Sequence, residues 1–437
     1  MGRDGATGER NAPALDLEHE RGVDTTMREP GDTATRPGPA APGPPAPDFD
    51  AITAESLRRA GHLKWTAFGP DRIGAFVAEM DYGTAPAVTA ALHAAVDRSL
   101  LGYLPPAVAA EMSAACAAWQ RDAYGWAVDP ADVHPLPDVI KGFEVAVEHF
   151  SAPGSPVVLP VPAYMPFLAV PAALGRDTIH VPMARDGGRW VYDLDALDRA
   201  FAAGGGLLVV CNPYNPLGRV MEAAELAAIA EVVDRHGGRV FADEIHAPLV
   251  YPGGHHVPYA AVSEVAAGHS ITSTSASKGW NLPGLKCAQV ILGNDADRRR
   301  WEEVGGFASH GASTLGVVAN TAAFRDGGPW LQRVLAYLDG NRRLLADLLA
   351  DLLPEVGYTP PEGTYLAWLD CRALDLPEAT AGFFAEEAGV VLVDGARCGD
   401  EGRGFVRLNF ATTAAILEQM VTRMAGAVRR RPRAGAG

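Results

Sequence analysis

A lysine flanked by small hydroxyl residues follows a short β-branched run in the second half of the chain. The run is Ile271-Thr272-Ser273-Thr274, and Ser275-Ala276-Ser277-Lys278-Gly279 comes next, with a second cation at Lys286. A lysine amine at a strand end can bind an aldehyde, whereas hydroxyl groups and a second positive charge suit a phosphate dianion. Serines beside lysines also occur in ordinary surface loops. The pattern predicts that Lys278, Ser275, Ser277 and Lys286 bind pyridoxal 5′-phosphate.

Two other strand-like runs end in polar residues that fit the same chemistry. Leu207-Leu208-Val209-Val210 precedes Asn215, and Arg239-Val240-Phe241-Ala242 precedes Asp243. In a parallel α/β sheet, residues that follow the strands meet in a crevice at the carboxyl ends. An aspartate keeps the pyridine nitrogen protonated and an asparagine donates to the phenolic oxygen. Asn-Pro also forms turns and an acid can cap a helix, but the ordered set of three favours a cofactor site.

The order of these motifs resembles that of fold-type I pyridoxal phosphate enzymes of the class I/II aminotransferase group. More narrowly, it resembles the MalY/PatB branch, the cystathionine β-lyase-like carbon–sulfur lyases. Further stretches typical of that branch are Lys64-Trp65 with Ala78-Glu79-Met80-Asp81-Tyr82, the run from Pro361 to Asp370, and the run from Gly404 to Ala411. The similarity extends from about Asp48 almost to the C-terminus.

The resemblance implies roles for residues outside the strand-end set. Tyr164 matches the aromatic residue that stacks on the pyridine ring, and Arg407 matches the arginine that grips the substrate α-carboxylate. Val139 and Ile140, at the start of a predicted helix, match backbone amides that face the phosphate. These residues are expected to complete the cofactor and substrate sites.

The resemblance also implies roles for His246, Asp81 and Tyr103. His246 takes the place near the cofactor where aminotransferases more often have a tyrosine, and Asp81 is assigned to the substrate side. Tyr103 matches a tyrosine that reaches the phosphate of the neighbouring subunit. This assignment implies a homodimer with shared active sites.

Two positions depart from the family pattern, and one neighbouring charge has an open role. Tyr214 stands where many members have histidine, and Gly279 replaces a more usual alanine beside Lys278. Tyr214 could reshape the pocket or fill the core. Lys141 could add charge at the phosphate or face solvent.

Composition limits the class of protein. The chain has 437 residues, 48% of them hydrophobic, which is enough for a large core and two subdomains. Its formal net charge of −16 argues against nucleic acid as a principal partner. The five cysteines lack metal spacing, so they predict reduced thiols in a cytoplasmic protein and no metal site. No apolar stretch approaches the roughly eighteen residues of a membrane span.

Alternating strand and helix patterns predict an α/β fold with a mostly parallel, doubly wound sheet. The large cofactor-binding domain is expected over residues 81–312 and a smaller α+β domain over 313–428, joined by the segment 48–80. Residues 1–47 are expected to be a disordered tail, and residues 429–437 form a basic tail. Whether translation starts at Met1 or Met27 stays open.

The predicted reaction is β-elimination from a cysteine S-conjugate such as cystathionine, with release of thiol, pyruvate and ammonia. The first alternative is an aminotransferase on the same fold. A second alternative is a member dedicated to antibiotic biosynthesis, either a thiol-conjugate lyase or a decarboxylating enzyme, as in lincosamide-forming relatives. A different class of function, a non-enzymatic ligand sensor, is a further hypothesis. The complete set of Lys278, Asp243, Asn215 and Arg407 disfavours it.

Overall fold

A seven-stranded sheet lies at the centre of the larger lobe in this computed structural model, which describes residues 48–376 and 379–431. The predicted tail 1–47 and residues 432–437 of the basic tail lie outside the described residues. In spatial order the strands are Val133–Leu136, Ala288–Leu292, Ser270–Thr274, Arg239–Asp243, Leu207–Cys211, Val157–Val161 and Thr178–Pro182. Ala288–Leu292 runs antiparallel to both neighbours, and the other adjacent pairs are parallel.

The central strands are buried along nearly their whole length because both faces of the sheet are covered. Leu207–Cys211 and Ala288–Leu292 are buried at every residue. Successive side chains of a strand point to opposite faces, and accordingly Val290 and Ile291 belong to different hydrophobic clusters. The helices between these strands are Val139–His149, Met165–Ala173, Leu194–Ala202, Ala223–Arg235, Glu264–His269, Ala276–Gly279 and, after the last strand, Asp295–Ser309.

Local signals in the sequence start these helices where the site needs them. Asp138 caps the helix Val139–His149, since its Oδ1 accepts from the amide of Lys141 at 2.8 Å. Glu222 and Glu225 form a reciprocal capping box at the start of Ala223–Arg235. Both helices therefore begin at the carboxyl ends of the strands, on the side where the cofactor motifs lie.

A four-stranded antiparallel sheet forms the smaller lobe. Its order is Gly357–Tyr358, Leu366–Asp370, Phe405–Asn409 and Val393–Asp394. The helices Gly328–Leu352 and Ala414–Arg430 pack against each other beside it, and the short elements Thr380–Phe383 and Phe384–Ala388 complete this lobe. The N-terminal segment reaches it too, since Ile73–Gly74 pairs in parallel with Val390–Val391.

The remaining helices fall into two groups, one beside the strand Ile73–Gly74 and one that packs together with Thr314–Asp326. Ala54–Ala60 and Leu63–Thr66 precede Ile73–Gly74, and Pro86–Asp97 and Pro106–Tyr124 follow it. Thr314–Asp326 packs on Pro86–Asp97 and Pro106–Tyr124. This helix was expected in the smaller domain, so the packing places the change of lobe nearer Gly327 than residue 313. A hairpin of Ala184–Asp186 and Arg189–Val191 projects from the larger lobe.

The predicted α/β architecture with a mostly parallel sheet is confirmed. The closing helix is Ala414–Arg430. Within the described ranges, no helix has the length and apolar character needed to cross a membrane.

Candidate active site

Lys278 lies on the short helix Ala276–Gly279, directly after the buried strand Ser270–Thr274. Ser275 caps this helix, because its Oγ accepts from the amide of Ser277 at 3.0 Å. The amide of Ala276 donates to Asn320 Oδ1 at 3.0 Å. The turn that carries Lys278 is thus fixed at both its first residues, which orients the lysine into the crevice between the lobes.

The amine of Lys278 contacts a main-chain carbonyl in the absence of any bound group. Its Nζ donates to the carbonyl oxygen of Ala78 at 3.0 Å. Burial, and after it the nearby positive charge of Arg407, lower the pKa of Lys278 to about 8. A substantial fraction of the amine is therefore neutral near physiological pH, as a nucleophile or base requires.

Asp243 ends the neighbouring strand Arg239–Asp243 and is enclosed by protein. Its Oδ1 accepts from the amide of Ile245 at 3.1 Å, and Cys211 Sγ lies 3.8 Å from Oδ2. Burial raises the pKa of Asp243 to about 7. A buried carboxylate with no cation hydrogen-bonded to it is costly, so this position favours a ligand that brings a protonated nitrogen.

Asn215 and Arg407 join the two lobes at the crevice. Arg407, on the small-lobe strand Phe405–Asn409, donates from Nη1 to Asn215 Oδ1 at 3.0 Å and from Nη2 to the carbonyl of Phe76 at 3.0 Å. Its Nε is buried and has no partner among the described residues. The guanidinium thus keeps an unused donor in a desolvated place, which suits a carboxylate ligand.

His246 lies just beyond Asp243 with its imidazole fully buried. Burial holds the pKa of His246 well below its usual value, and the charges of Lys278 and Arg407 act in the same direction. Its Nδ1 has no partner within the described residues, and its ring is 6.0 Å from that of Tyr365 between centroids. A neutral imidazole with a free nitrogen is suited to contact a cofactor, and the contact of His246 with it stays a prediction.

Tyr164 and Tyr214 both border a small hollow beside Asn215, but they differ in burial. Tyr164 is partly buried and borders the same small hollow as Cys211 and Asn215. Burial raises the pKa of the Tyr164 phenol, while Arg407 lowers it and Asp243 raises it, which is consistent with a place between these charges. Tyr214 is buried, and its hydroxyl donates to the carbonyl of Pro160 at 2.9 Å. Of the two roles left open for Tyr214, the structure supports core filling.

The proposed phosphate end lies at the start of the helix Val139–His149. Val139 and Ile140 are its first two residues, so their amides have no acceptor within the helix. Lys286 reaches this end, with Nζ 2.8 Å from Asp138 Oδ2, and its side chain is 60% exposed. Lys141 pairs with Glu144 at 3.0 Å instead. The helix start and Lys286 come together as predicted, whereas Lys141 directs its charge away.

Ser275 and Ser277 differ in how available their hydroxyl groups are. Ser275 is buried, and its hydroxyl donates to the carbonyl of Cys287 at 2.7 Å. Its predicted phosphate contact therefore requires the hydroxyl to rotate away from Cys287. Ser277 is partly exposed beside Lys278, and its contact with the cofactor stays a prediction.

Asp81 does not line the substrate crevice, which corrects the expectation from the sequence. Its Oδ2 accepts from Lys64 Nζ at 2.9 Å and its Oδ1 from Trp65 Nε1 at 2.8 Å. Both side chains of the Lys64–Asp81 pair are only 1% exposed. The carboxylate is fully used in fixing the N-terminal helix, so no oxygen is left for a substrate.

Tyr103 is 92% exposed and lies outside the crevice of its own chain. The carbonyl of the preceding Gly102 accepts from Thr314 Oγ1 at 2.9 Å. The nearby Leu101 is also exposed. Such a position is what a residue destined for a neighbouring subunit would occupy, and that assignment stays a prediction.

The main chain from Phe76 to Met80, here called the crossing segment, is the part of the site that the sequence did not reveal. Besides its contacts with Arg407 and Lys278, the carbonyl of Ala78 accepts from the Tyr365 hydroxyl at 2.9 Å. Asn409 Nδ2 donates to the carbonyls of Val77 and Glu79, both at 2.7 Å. Asn281 Oδ1 accepts from the amide of Met80, and Asn281 Nδ2 donates to the carbonyl of Met80, both at 2.9 Å. Among these residues, only Asn281 and Asn409 give a signal in the sequence, because they lie close to Lys278 and Arg407, respectively.

The residues in the crevice fit pyridoxal 5′-phosphate. The buried Asp243 carboxylate lacks a hydrogen-bonded cation, His246 Nδ1 and Arg407 Nε lack partners among the described residues, and Lys278 is a desolvated amine. These groups would meet the ring nitrogen, the ring substituents, the substrate carboxylate and the aldehyde, respectively. Across the described ranges, no group of three or more His, Cys, Asp or Glu side chains is arranged to hold a metal ion.

Comparisons with known proteins agree with this arrangement. The family model for aminotransferase class I and II matches residues 77–424. Cystathionine beta-lyase of Corynebacterium glutamicum is 38% identical over 374 residues, which cover 85% of this chain and 98% of that protein. Cystathionine beta-lyase PatB of Bacillus subtilis is 31% identical over 84% of this chain and 96% of its own.

A solved structure gives the same result for the fold. The crystal structure of a putative PLP-dependent beta-cystathionase from Corynebacterium diphtheriae aligns with a TM-score of 0.83 and 39% identity. The alignment covers 88% of this chain and 100% of that one. The likeness therefore includes both lobes and the crevice between them.

Proposed function

Because the chain belongs to the aminotransferase class I and II family and to its cystathionine β-lyase branch, we propose that it cleaves the Cβ–S bond of a cysteine S-conjugate such as cystathionine. The products are a thiol, pyruvate and ammonia, and pyridoxal 5′-phosphate is the cofactor. The observation that carries the proposal is the convergence of Lys278, Asp243, Asn215 and Arg407 on one crevice in a chain that matches such lyases over nearly their full length.

Each residue of the set has one task in this reaction. When bound, pyridoxal 5′-phosphate would supply a protonated ring that withdraws electrons from the substrate Cα. Asp243 would hold the proton on the ring nitrogen. Burial disfavours the charged carboxylate of Asp243 unless a cation lies beside it, and the protonated ring nitrogen would be that cation. Asn215 would donate from Nδ2 to the phenolic oxygen, since its Oδ1 is already held by Arg407.

Lys278 and Arg407 would act on the substrate itself. Lys278 would hold the cofactor aldehyde and, once the substrate amine has displaced it, take the Cα proton at Nζ. Arg407 would bind the α-carboxylate near the plane of the ring, which leaves the Cα–H bond rather than the carboxylate bond positioned for cleavage. The electron pair from Cα would expel sulfur from Cβ, and the departing thiolate would take up the proton that Lys278 Nζ carries. Water would then add to the remaining three-carbon fragment, which gives pyruvate and ammonia.

A product assay without added 2-oxo acid tests the proposal. We expect L-cystathionine or a simpler S-alkyl cysteine to yield thiol, pyruvate and ammonia continuously, because elimination returns the cofactor to its starting form. Conversion of the cofactor to its amine form after a single turnover, with no thiol released, would support an aminotransferase. Release of carbon dioxide would mean that Arg407 does not hold the carboxylate as argued.

The aminotransferase alternative has one specific support. A probable N-succinyldiaminopimelate aminotransferase of Mycobacterium tuberculosis is 31% identical over 68% of this chain. That match covers less of the chain than the cystathionine β-lyase of Corynebacterium glutamicum, which covers 85%. The lyase is therefore the preferred proposal.

A homodimer with shared sites belongs to the same proposal. It is supported by the exposed Tyr103 and Leu101 beside a surface hollow of about 500 Å³ that includes Gly102 and Thr314. Mixing Lys278→Ala with Tyr103→Phe protein should restore activity above that of either parent, because one hybrid site would have both residues intact. Monomers at assay concentration would refute this part.

We also place the reaction in the cytoplasm. All five cysteines are free and buried, as expected in a reducing compartment.

A further inference from the structure

The motif Pro361-Glu362-Gly363-Thr364 has no task in the proposed chemistry, yet it binds the larger lobe tightly. Glu362 belongs to the small lobe, and its carboxylate reaches three donors across the crevice. Oε2 accepts from Arg219 Nη1 at 2.7 Å and from the amide of Val220 at 2.9 Å. Oε1 accepts from Arg189 Nη2 at 3.1 Å.

The main chain of the same motif adds a second connection. The amides of Glu362 and Gly363 both donate to the carbonyl of Gly218, at 2.8 and 3.1 Å. Gly218 has a φ of +72°, and a Cβ there would lie 2.3 Å from Pro361 Cβ. The close approach of the two main chains therefore depends on glycine at this position.

These contacts fall on the loop that carries Asn215. The loop is closed by hydrogen bonds from the Tyr214 amide to the Arg219 carbonyl and from the Gly218 amide to the Tyr214 carbonyl, both 2.7 Å. Arg219 is buried, and its Nη2 donates to both carboxylate oxygens of Glu225, at 2.7 and 2.8 Å. Movement of Arg219 would thus be transmitted directly to Asn215.

The small lobe consequently holds this loop at two points, through Arg407 on Asn215 and through Glu362 on Arg219. We propose that Glu362 is a positioning residue that fixes the Asn215 loop relative to Arg407. Asn215 faces the cofactor and Arg407 the substrate carboxylate, so Glu362 sets the relation between the two ligands without touching either. This inference rests on the proposed function for the roles of Asn215 and Arg407 and for the choice of substrate.

Glu222 provides a matched control. Its Oε1 accepts from Arg189 Nη1 at 3.0 Å, but its side chain is 64% exposed and makes no contact with Arg219. Glu362→Gln keeps the shape of the side chain and places an amide against the buried Arg219. Glu362→Asp keeps the charge and shortens the reach by one methylene.

The test compares the holoenzymes of Glu362→Gln, Glu362→Asp and Glu222→Gln. For Glu362→Gln we expect a shifted visible absorption of the bound cofactor and a KM for L-cystathionine raised about tenfold, with kcat changed less. A misplacement of about 1 Å can cost up to a hundredfold, so tenfold corresponds to a smaller displacement. Glu362→Asp should recover part of both effects, and Glu222→Gln should stay within about twofold of wild type.

Wild-type absorption and KM in Glu362→Gln would overturn the inference, even if the variant melts at a lower temperature, because a brace that only stabilises the fold would behave in that way. Equal changes in Glu222→Gln would also overturn it. Should Glu362→Gln not fold, Gly218→Ala displaces the same loop with all charges in place and must shift the absorption. If the wild type does not cleave cystathionine, the proposed function fails, whereas the absorption comparison still decides the role of Glu362.

Discussion

The two walls of the crevice are built in different ways. On the larger lobe, Asn215, Asp243 and Lys278 follow three adjacent parallel strands and present side chains to the site. On the opposite wall, the crossing segment presents main-chain carbonyls, which hold Arg407 and Lys278. The wall on the larger lobe, here called the strand-end wall, therefore supplies the reactive side chains. The crossing segment fixes the positions of Arg407 and Lys278.

This difference predicts which substitutions should reduce activity most. A residue on the strand-end wall carries a group that no neighbour can replace, so its removal should abolish a chemical step. A residue that fixes the crossing segment acts through position, and its loss should be graded. Four measurements test that contrast.

The largest effect is expected for Lys278→Ala. Loss of the amine removes both the anchor for the aldehyde and the base for the Cα proton, so kcat should fall about 10⁴-fold or more. Lys141→Ala is the control, because Lys141 pairs with Glu144 at a partly exposed site. A Lys278→Ala enzyme with more than a few per cent of wild-type kcat would contradict the assignment of the base.

Arg407→Ala should produce the next largest effect because Arg407 contacts both walls. The substrate carboxylate would lose its partner, and Asn215 Oδ1 and the Phe76 carbonyl would each lose a donor. We expect substrate binding to weaken by about 2–5 kcal/mol, measured as KM or as the dissociation constant of an unreactive amino acid. Arg407→Lys restores charge without the two-pronged fork, so it should recover only part. An unchanged KM in both variants would remove Arg407 from the substrate site.

Asp243→Asn should change the pH dependence of stability of the cofactor-free protein. The pKa of Asp243 is raised from 3.8 to about 7 by burial, so the folded state binds its proton more tightly than the unfolded state. Stability is then lost as pH rises from about 4 to about 7, by up to about 4 kcal/mol. The asparagine variant cannot ionise, so it should be more stable than wild type at pH 8, with the difference shrinking toward pH 4.

Denaturant titrations at several pH values measure this effect, with Asp198→Asn as a surface control. Asp198 pairs with Arg235 and His236 at the protein surface. The same pH profile for wild type and Asp243→Asn would show that Asp243 ionises normally in the fold. Addition of pyridoxal 5′-phosphate should reverse the order of stability, because a ring cation then compensates the carboxylate.

The smallest effect is expected for Tyr365→Phe. The variant removes only the hydrogen bond from the hydroxyl to the Ala78 carbonyl, and Lys278 still donates to that oxygen. Loss of one such bond typically costs about 1 kcal/mol, so KM should rise by a few fold with little change in kcat. A loss comparable to that of Lys278→Ala would mean that Tyr365 takes part in the chemistry, and the contrast between the walls would fail.

The strand-end wall was predictable from sequence for a physical reason. A buried parallel strand leaves a continuous apolar run, and the first polar side chain after it must lie at the edge of the sheet where ligands bind. Asn215 follows such a run and Asp243 ends one, whereas Lys278 follows the buried but mostly polar strand Ser270–Thr274. The fold built from these strands is confirmed. As a set, these three side chains also fit few chemistries other than that of a pyridoxal phosphate site.

The crossing segment could not be predicted in the same way. Every residue has the same main-chain carbonyl whatever its side chain is. The sequence therefore does not distinguish the carbonyl of Ala78 from those of its neighbours. The error at Asp81 has a related cause, because its carboxylate is taken by Lys64 and Trp65, which come near only when the chain has folded. The packing of Thr314–Asp326 has the same kind of cause, since its partners are two helices far earlier in the sequence.

The carbonyls of Phe76 and Ala78 have a consequence for how this crevice could diverge. A main-chain oxygen survives almost any change of side chain, so Phe76 and Val77 can be replaced while the carbonyls that hold Arg407 and Lys278 are kept. Glu79 differs, because its charge raises the pKa of Lys278 and so acts on the reactive centre. A library of variants at Phe76 and Val77 would accordingly retain turnover more often than one built at Glu79 or at the strand ends.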